Sequence, residues 1–186
     1  MKATEILMSE HTVVERVLVS LEGAVQASAE GKDVRPEFFI DAADFIRGFA
    51  DGCHHRKEEN VLFKTMRQYG VPMQGGPIGV MLDEHEQGRR YTRAMRSGAE
   101  KWQAGQEAGR QEALTAAGQY AALLHQHILK ENNILFPMAD RAIPLAEQNQ
   151  VTLDFERVEH EETGAGVHEK YLALAESLEA KAKGWK

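Results

Sequence analysis

The sequence predicts an all-α protein, an up-down antiparallel four-helix bundle with one additional C-terminal helix. Apolar residues recur at steps of three and four through most of the 186 residues, which is the spacing of one face of an α-helix. The alternation of apolar and polar residues that is typical of half-exposed strands is absent. The candidate helices are joined by short turns, and short turns favour antiparallel neighbours.

Four helices account for the predicted bundle. The first covers residues 3–29 and ends in the polar turn Glu-Gly-Lys-Asp. The second begins near Pro36, which suits the first turn of a helix, and ends at the next loop rich in glycine and proline. The third covers about residues 78–102. The fourth covers about residues 110–136, and Pro137 is expected to end or kink it.

The apolar pattern weakens in the last forty residues. One further amphipathic helix is expected between Asp154 and Ala182. We therefore divide the chain into a bundle, residues 1–145, and a helical extension, residues 146–186. The extension packs either on the bundle or on a partner subunit, and the second alternative implies a homo-oligomer.

Composition excludes several classes of function. The net charge of −7 disfavours nucleic acid and anionic membrane surfaces as partners, because both require basic patches. No apolar run approaches the roughly 20 residues of a membrane span, and the N-terminus is too polar for a signal peptide. Cys53 is the only cysteine, so no internal disulfide can form, and we expect it to be a small buried side chain. A cytoplasmic protein is expected.

Two segments of the chain repeat each other. Residues 54–63 and residues 127–136 share His, Lys, Glu, Asn, Leu and Phe at six of ten aligned positions. Each begins with His-x-x-x-Glu, whose two side chains share a helix face about 6 Å apart along the axis. One such pair alone is commonly a surface contact. Here both pairs run into apolar residues on predicted bundle helices, which favours two facing metal-ligand pairs.

The other two bundle helices each offer one histidine on an apolar face. His11 follows Leu7 on the first helix, and His85 follows Met81 on the third. A single histidine in this position is commonly an ordinary core residue. Four inward histidines and two carboxylates are costly to bury without a metal, because desolvation of so many polar groups would be uncompensated.

This order of residues resembles the hemerythrin-like, HHE cation-binding family. The pattern reads His11, then His54 to Glu58, then His85, then His127 to Glu131, and spans roughly residues 5–140. The resemblance implies a non-haem di-iron centre in which the two glutamates bridge the ions, together with an oxo or hydroxo group. Nitrogen and oxygen ligands without thiolate also suit zinc or manganese.

The chain departs from the oxygen-carrying members at one position. Where they have a second histidine four residues after the third-helix one, this chain has Arg89. We expect His55 to replace it, since it points about 100° away from His54 around the helix and can reach the other ion. One ion would then have His11 and His54, with a free position. The expected ligands of the other ion are His55, His85 and His127.

Three histidines are expected outside this site. His125 lies about 200° around the helix from His127, so both cannot face one centre. His160 and His168 lie in the weakly patterned C-terminal region, on a charged face. The alternative for one of these two is that it covers the site or supplies the ligand missing at Arg89.

The predicted site is compatible with three alternative functions. The first is a metal protein that binds or reacts with a small diatomic ligand, O2 or NO, or with peroxide. The second is an enzyme that consumes peroxide, for which Tyr120 is a candidate proton donor on the inward side of the fourth helix. The third is a structural bundle filled with zinc or manganese that acts as an interaction module.

Overall fold

A computed structural model of the chain describes residues 2–164 and 166–185, without the side chains of residues 161–163. In this part of the chain the secondary structure is helical and contains no strand, which confirms the predicted all-α class. Six helices follow in order: α1 (Ala3–Ala29), α2 (36–68), α3 (Pro77–Gln103), α4 (107–142), α5 (148–163) and α6 (Val167–Lys183). A short 3-10 turn, Leu145–Glu147, separates α4 from α5.

Helices α2 and α4 contain π-helical turns next to the repeated motif. In α2 these are Ile46–His55 and Glu58–Leu62, and in α4 the corresponding segment is Glu131–Leu135. The α-helical segments of the two helices are Pro36–Phe45, Phe63–Gln68, Glu107–Lys130 and Phe136–Ala142. Turns with i→i+5 hydrogen bonds are rare and are frequently found at functional sites.

Of the two alternatives expected at Pro137, an end or a kink of the fourth helix, the end is wrong. The helix continues to Ala142, because Pro137 lies in the first turn of the α-helical segment that follows Glu131–Leu135. The missing N–H of proline is tolerated in the first turn of a helical segment.

The first four helices form the bundle, with α1 beside α4, α4 beside α3 and α3 beside α2. Their buried side chains form two apolar clusters rather than one. On α1, α2 and α3 the residues of the predicted site lie between these clusters: His11, for example, lies between Leu7 of one cluster and Val14 of the other. On α4 the same holds for Glu131, between Ile128 and Leu135. The fold thus holds a polar layer between two apolar layers. No helix in the described ranges is long and apolar enough to cross a bilayer.

The single C-terminal helix expected from the sequence is in fact two helices, α5 and α6. Gly164 and Gly166 separate them, with φ angles of 106° and 76° that favour glycine. Both helices pack on the α1–α2 side of the bundle. The contact of α6 with α2 is close: a Cβ at Gly48 would lie 1.8 Å from a ring carbon of Tyr171.

Candidate metal centre

The seven side chains of the predicted site lie together in the middle of the bundle. None of these residues is more than 3% exposed. Helices α1 and α3 contribute one histidine each, and the repeated segments of α2 and α4 contribute the others. The seven are His11, His54, His55, Glu58, His85, His127 and Glu131.

The potential ligand atoms form two groups, and within each group all of them lie within 4.8 Å of one another. The first group consists of His11, His54, Glu58 and Glu131, and the second of His55, Glu58, His85 and His127. His55 therefore belongs to the second group, where the sequence placed it. Glu58 is common to both groups, so the two groups are adjacent.

The two carboxylates each face both groups. Glu58 has Oε1 at 3.6 Å from Nε2 of His54 and Oε2 at 3.4 Å from Nε2 of His85. Glu131 has Oε2 at 3.1 Å from Nε2 of His11 and Oε1 at 3.1 Å from Nε2 of His127. Each carboxylate thus presents one oxygen to each group, so that it could be shared between two cations.

The pKa values of the two glutamates are shifted in opposite directions because their neighbours differ. Burial raises the pKa of Glu58 well above its usual range, and the adjacent Glu131 carboxylate raises it further. Burial also acts on Glu131, but His127 and His11 outweigh it and hold the pKa of Glu131 well below its usual range. Two carboxylates this close cannot both ionise without a compensating cation. A pair of metal ions would supply that compensation.

Buried polar atoms without hydrogen bonds provide a test of whether these residues fit a metal. Both carboxylate oxygens of Glu58 and of Glu131 are buried and form no hydrogen bond of regular geometry, and the same holds for Nε2 of His11 and His54, despite the 3.1 Å contacts of Glu131 with His11 and His127. Leaving such groups unsatisfied costs about 1–3 kcal/mol each. All six atoms point into the two groups described above. The residues therefore fit metal ions, which would satisfy them.

Every histidine of the centre is held through its other ring nitrogen, Nδ1. The Nδ1–H of His54 donates to Glu10 at 2.9 Å, and that of His127 donates to Glu84 at 2.9 Å. The remaining three pairs, each 2.8 to 2.9 Å long, are His11 with Asn132, His55 with Asp51, and His85 with Glu59. An acceptor on Nδ1 fixes the tautomer that leaves Nε2 free to bind a metal.

The internal repeat explains part of this network. Lys57 and Lys130 occupy the same position of the repeat, and each forms an ion pair with the glutamate that holds the motif histidine of its own helix. Those glutamates, Glu10 and Glu84, directly precede His11 and His85 in the sequence. The repeat thus contains both candidate ligands and a lysine. In each copy this lysine orients the glutamate that hydrogen-bonds to a candidate ligand.

Lys57 differs from Lys130 in being completely buried. Its Nζ lies 2.5 Å from Oε1 of Glu10 and 2.8 Å from Oε2 of Glu159, a residue of α5. Together, Glu10, Cys53, Glu159 and His168 bring potential ligand atoms within 4.8 Å of one another. We interpret this group as an ion-pair network rather than a metal site, because the Lys57 ammonium already occupies the space between its two carboxylates and pairs with both.

Arg89 occupies the position where a ligand histidine was missing, and it also supports the centre. Its guanidinium lies 2.6 Å from Oε1 of Glu59 and 3.4 Å from Oδ1 of Asp51. Those carboxylates are the partners of His85 and His55. Arg89 therefore acts on two candidate ligands through their hydrogen-bond acceptors.

The other predicted positions are partly as expected. His125 is 33% exposed, so it is only half-exposed, and it pairs with Glu22 away from the centre. His160 is exposed, and His168 lies beside Glu159 rather than in either metal group. Cys53 is buried, and burial raises the pKa of its thiol to about 11.

None of the five hydrogen-bond partners of the histidines was predicted from the sequence, although a signal was present. Four of them are adjacent to a ligand position in the sequence, and the fifth, Asp51, lies one turn before His55. An acidic residue immediately before a histidine that faces inward was a usable sign in both Glu10 and Glu84.

Comparison with known proteins agrees with this geometry. The sequence model of the hemerythrin HHE cation-binding domain matches residues 2–139. The chain belongs to the hemerythrin HHE cation-binding domain family. Cation binding is the property that this membership carries, and all seven side chains of the centre lie within the HHE domain.

The relatives found by sequence carry no assigned function. Uncharacterized proteins of Mycobacterium tuberculosis and Mycobacterium bovis are 25% identical to this chain over 163 residues, which cover 87% of the chain. The chain spans 63% of the length of these relatives. No solved structure matches the chain.

Proposed function

We propose that this HHE domain holds two iron ions and binds or reacts with O2 or its reduction products. The observation that carries the proposal is the set of buried, unpartnered oxygen and nitrogen atoms that face two adjacent groups. In this assignment His11 and His54 hold the first ion, and His55, His85 and His127 hold the second. Glu58 and Glu131 are shared between the ions.

Iron is assigned through the family, because imidazole and carboxylate ligands also suit zinc and manganese. Bound at this centre, iron would supply redox chemistry and a free coordination position for O2, NO or peroxide. The first group has two histidines and the second has three, so the free position is expected on the first ion. The protein's part is to hold the five imidazoles in one tautomer and to keep the centre dry between two apolar clusters.

An optical experiment tests the proposal directly. Protein reconstituted anaerobically with Fe(II) should retain about two irons per chain, and admitting O2 should produce a new band in the near-ultraviolet to visible range. Manganese and zinc serve as parallel reconstitutions. Protein that retains zinc or manganese but no iron, and shows no band, would contradict the proposal and favour the structural interaction module.

A second candidate function, consumption of peroxide, is supported by Tyr120. Its hydroxyl is buried and has no hydrogen-bond partner within the described residues. Burial raises the pKa of Tyr120 well above 10, and the Asp51 carboxylate adds to this, so the hydroxyl keeps its proton. The candidacy of Tyr120 as a general acid therefore rests on this buried, unpartnered O–H and not on its pKa, because a high pKa opposes proton transfer.

The Tyr120→Phe variant tests this candidate. Iron content should stay unchanged, because Tyr120 is not a proposed ligand, while the rate of peroxide consumption should fall by about tenfold or more. A stable oxygenated spectrum in the wild-type protein, with no peroxide consumption, would instead favour a carrier. Equal rates in the two proteins would remove Tyr120 from the mechanism.

A further inference from the structure

A groove with a volume of about 620 Å³ lies between α2 and α3, next to the metal centre. Its charged lining is unusual for this chain, because it contains five of the twelve arginines, no lysine and only two carboxylates. The chain as a whole carries a net charge of −7. The arginines that line the groove are Arg47, Arg56, Arg89, Arg93 and Arg96.

The arginines of α3 reach the groove because of helical spacing. Arg89, Arg93 and Arg96 are four and three residues apart, so they lie on one face of the helix. That face is turned towards α2, which contributes the other two arginines from its π-helical segment and from the residue that follows it. The groove therefore has guanidinium groups on both of its walls.

Donors of Arg47, Arg93 and Arg96 remain available for a ligand. Arg47 and Arg96 both contact Oδ1 of Asp44, at 3.2 Å and 2.6 Å, and Arg96 also contacts Glu100. Each guanidinium has five N–H donors, and these contacts use one or two of them. Arg93 is exposed, and it forms no ion pair within residues 2–164 and 166–185.

We propose that this groove binds a small molecule that carries phosphate groups. Arginine matches phosphate through paired N–H donors, and arginines on opposite walls can contact one multiply charged group together. The volume lies within the range of about 300–1,000 Å³ that is typical of small-molecule sites. The absence of lysine from the lining favours this paired geometry over non-specific attraction of anions.

Two carboxylates connect the groove to the metal centre. Asp51 and Glu59 line it, and the same carboxylates accept the Nδ1–H groups of His55 and His85. Arg89 contacts both carboxylates. A phosphate group that draws Arg89 towards the groove would weaken its contacts with Asp51 and Glu59. The hydrogen bonds by which these carboxylates hold His55 and His85 would then change. This coupling rests on the proposed iron centre, whereas binding in the groove does not.

Calorimetric titration at constant ionic strength tests the proposal. Metal-free and iron-loaded protein are each titrated with inorganic phosphate, pyrophosphate and citrate. Pyrophosphate should bind one per chain in both forms and more tightly than citrate. The Arg93→Gln variant should weaken pyrophosphate binding at least tenfold. Arg90→Gln is the matched control, because this substitution removes the same charge from the same helix. Arg90 is exposed and does not line the groove.

Three outcomes would overturn the proposal: no binding of pyrophosphate, equal weakening in the two variants, or tighter binding of citrate. The first would mean that the arginines serve only the ion pairs with their neighbours, and the second that net charge alone attracts the anion. Thermal unfolding of both variants checks that they fold. A spectral shift on adding pyrophosphate to iron-loaded protein tests the coupling separately from binding.

Discussion

Replacing Glu58 by methionine should stabilise the metal-free protein while abolishing metal binding. Glu58 is completely buried, and neither of its oxygens has a hydrogen-bond partner. Burial and the neighbouring Glu131 carboxylate raise its pKa well above its usual range, so without metal the carboxyl group is an unsatisfied polar group. Methionine has a similar length and requires no hydrogen bond.

The magnitude follows from these unsatisfied atoms. A buried polar group without a partner costs about 1–3 kcal/mol, so we expect Glu58→Met to raise the free energy of unfolding of the metal-free protein by about 2 kcal/mol. Urea denaturation followed by circular dichroism, after removal of metal with a chelator, measures this as a shift of about 1 M in the midpoint. Adding metal should then stabilise the wild-type protein but not the variant.

Glu59→Met is the matched control, one residue further along the same helix. Glu59 is 27% exposed, and its Oε1 accepts from Nδ1 of His85 and from Arg89. Its replacement should therefore lower the stability of the metal-free protein, by about 1–3 kcal/mol. A metal-free Glu58→Met variant that is less stable than the wild type would refute the reasoning, because the carboxyl would then stabilise the fold without any metal.

Three further predictions concern the ligands, the C-terminal helices and pH. His54→Ala should remove most of the bound metal, measured by elemental analysis, whereas His125→Ala should not, and equal metal contents would contradict the assignment. Gly48→Ala should lower the free energy of unfolding by about 1–3 kcal/mol, since the added Cβ would collide with the ring of Tyr171. The metal-free protein should also lose stability as pH falls from 6.5 to 4. Burial lowers the pKa of His54 to about 4, so in that range the unfolded chain binds a proton that the folded chain does not. At His127 the effect of Glu131 outweighs that of burial and raises the pKa of the imidazole to about 9. The stability that protonated His127 contributes is therefore full below pH 6.5 and is lost as the pH rises to 9. Denaturation at a series of pH values checks both signs.

The bundle and the grouping of the seven side chains could be predicted because helical periodicity places each motif. His11 and His85 were recognised by their place on apolar stripes, and the two His-x-x-x-Glu motifs by their repetition. The arrangement of His55 in the second group followed from its angle around the helix. The inferences on His11, His85 and the two motifs use helical spacing, whereas that on His55 also used the family resemblance, through the histidine missing at Arg89.

Other features depend on departures from that geometry. The π-helical turns leave no mark in a pattern of three- and four-residue steps, so the continuation of α4 past Pro137 was missed. The break between α5 and α6 depends on two glycines, Gly164 and Gly166, that a periodicity search passes over. The contact of Glu159 with Lys57 joins residues far apart in the sequence, and only the packing of α5 brings them together.

The hydrogen-bond partners of the histidines make the two halves of the centre different, although the repeat makes their candidate ligands similar. In the second group all three imidazoles donate to carboxylates, and such partners make an imidazole a stronger metal ligand. In the first group His54 has Glu10, but His11 has only the amide of Asn132.

An ion in the first group would therefore have fewer and weaker nitrogen ligands than its neighbour. Under the proposed two-ion assignment, a less saturated cation would attract an additional ligand more strongly, which favours the first ion as the place for a small molecule. The sequence difference between Glu59 and Asn132, at equivalent positions of the repeat, is thus a physical reason for the two ions to take different roles.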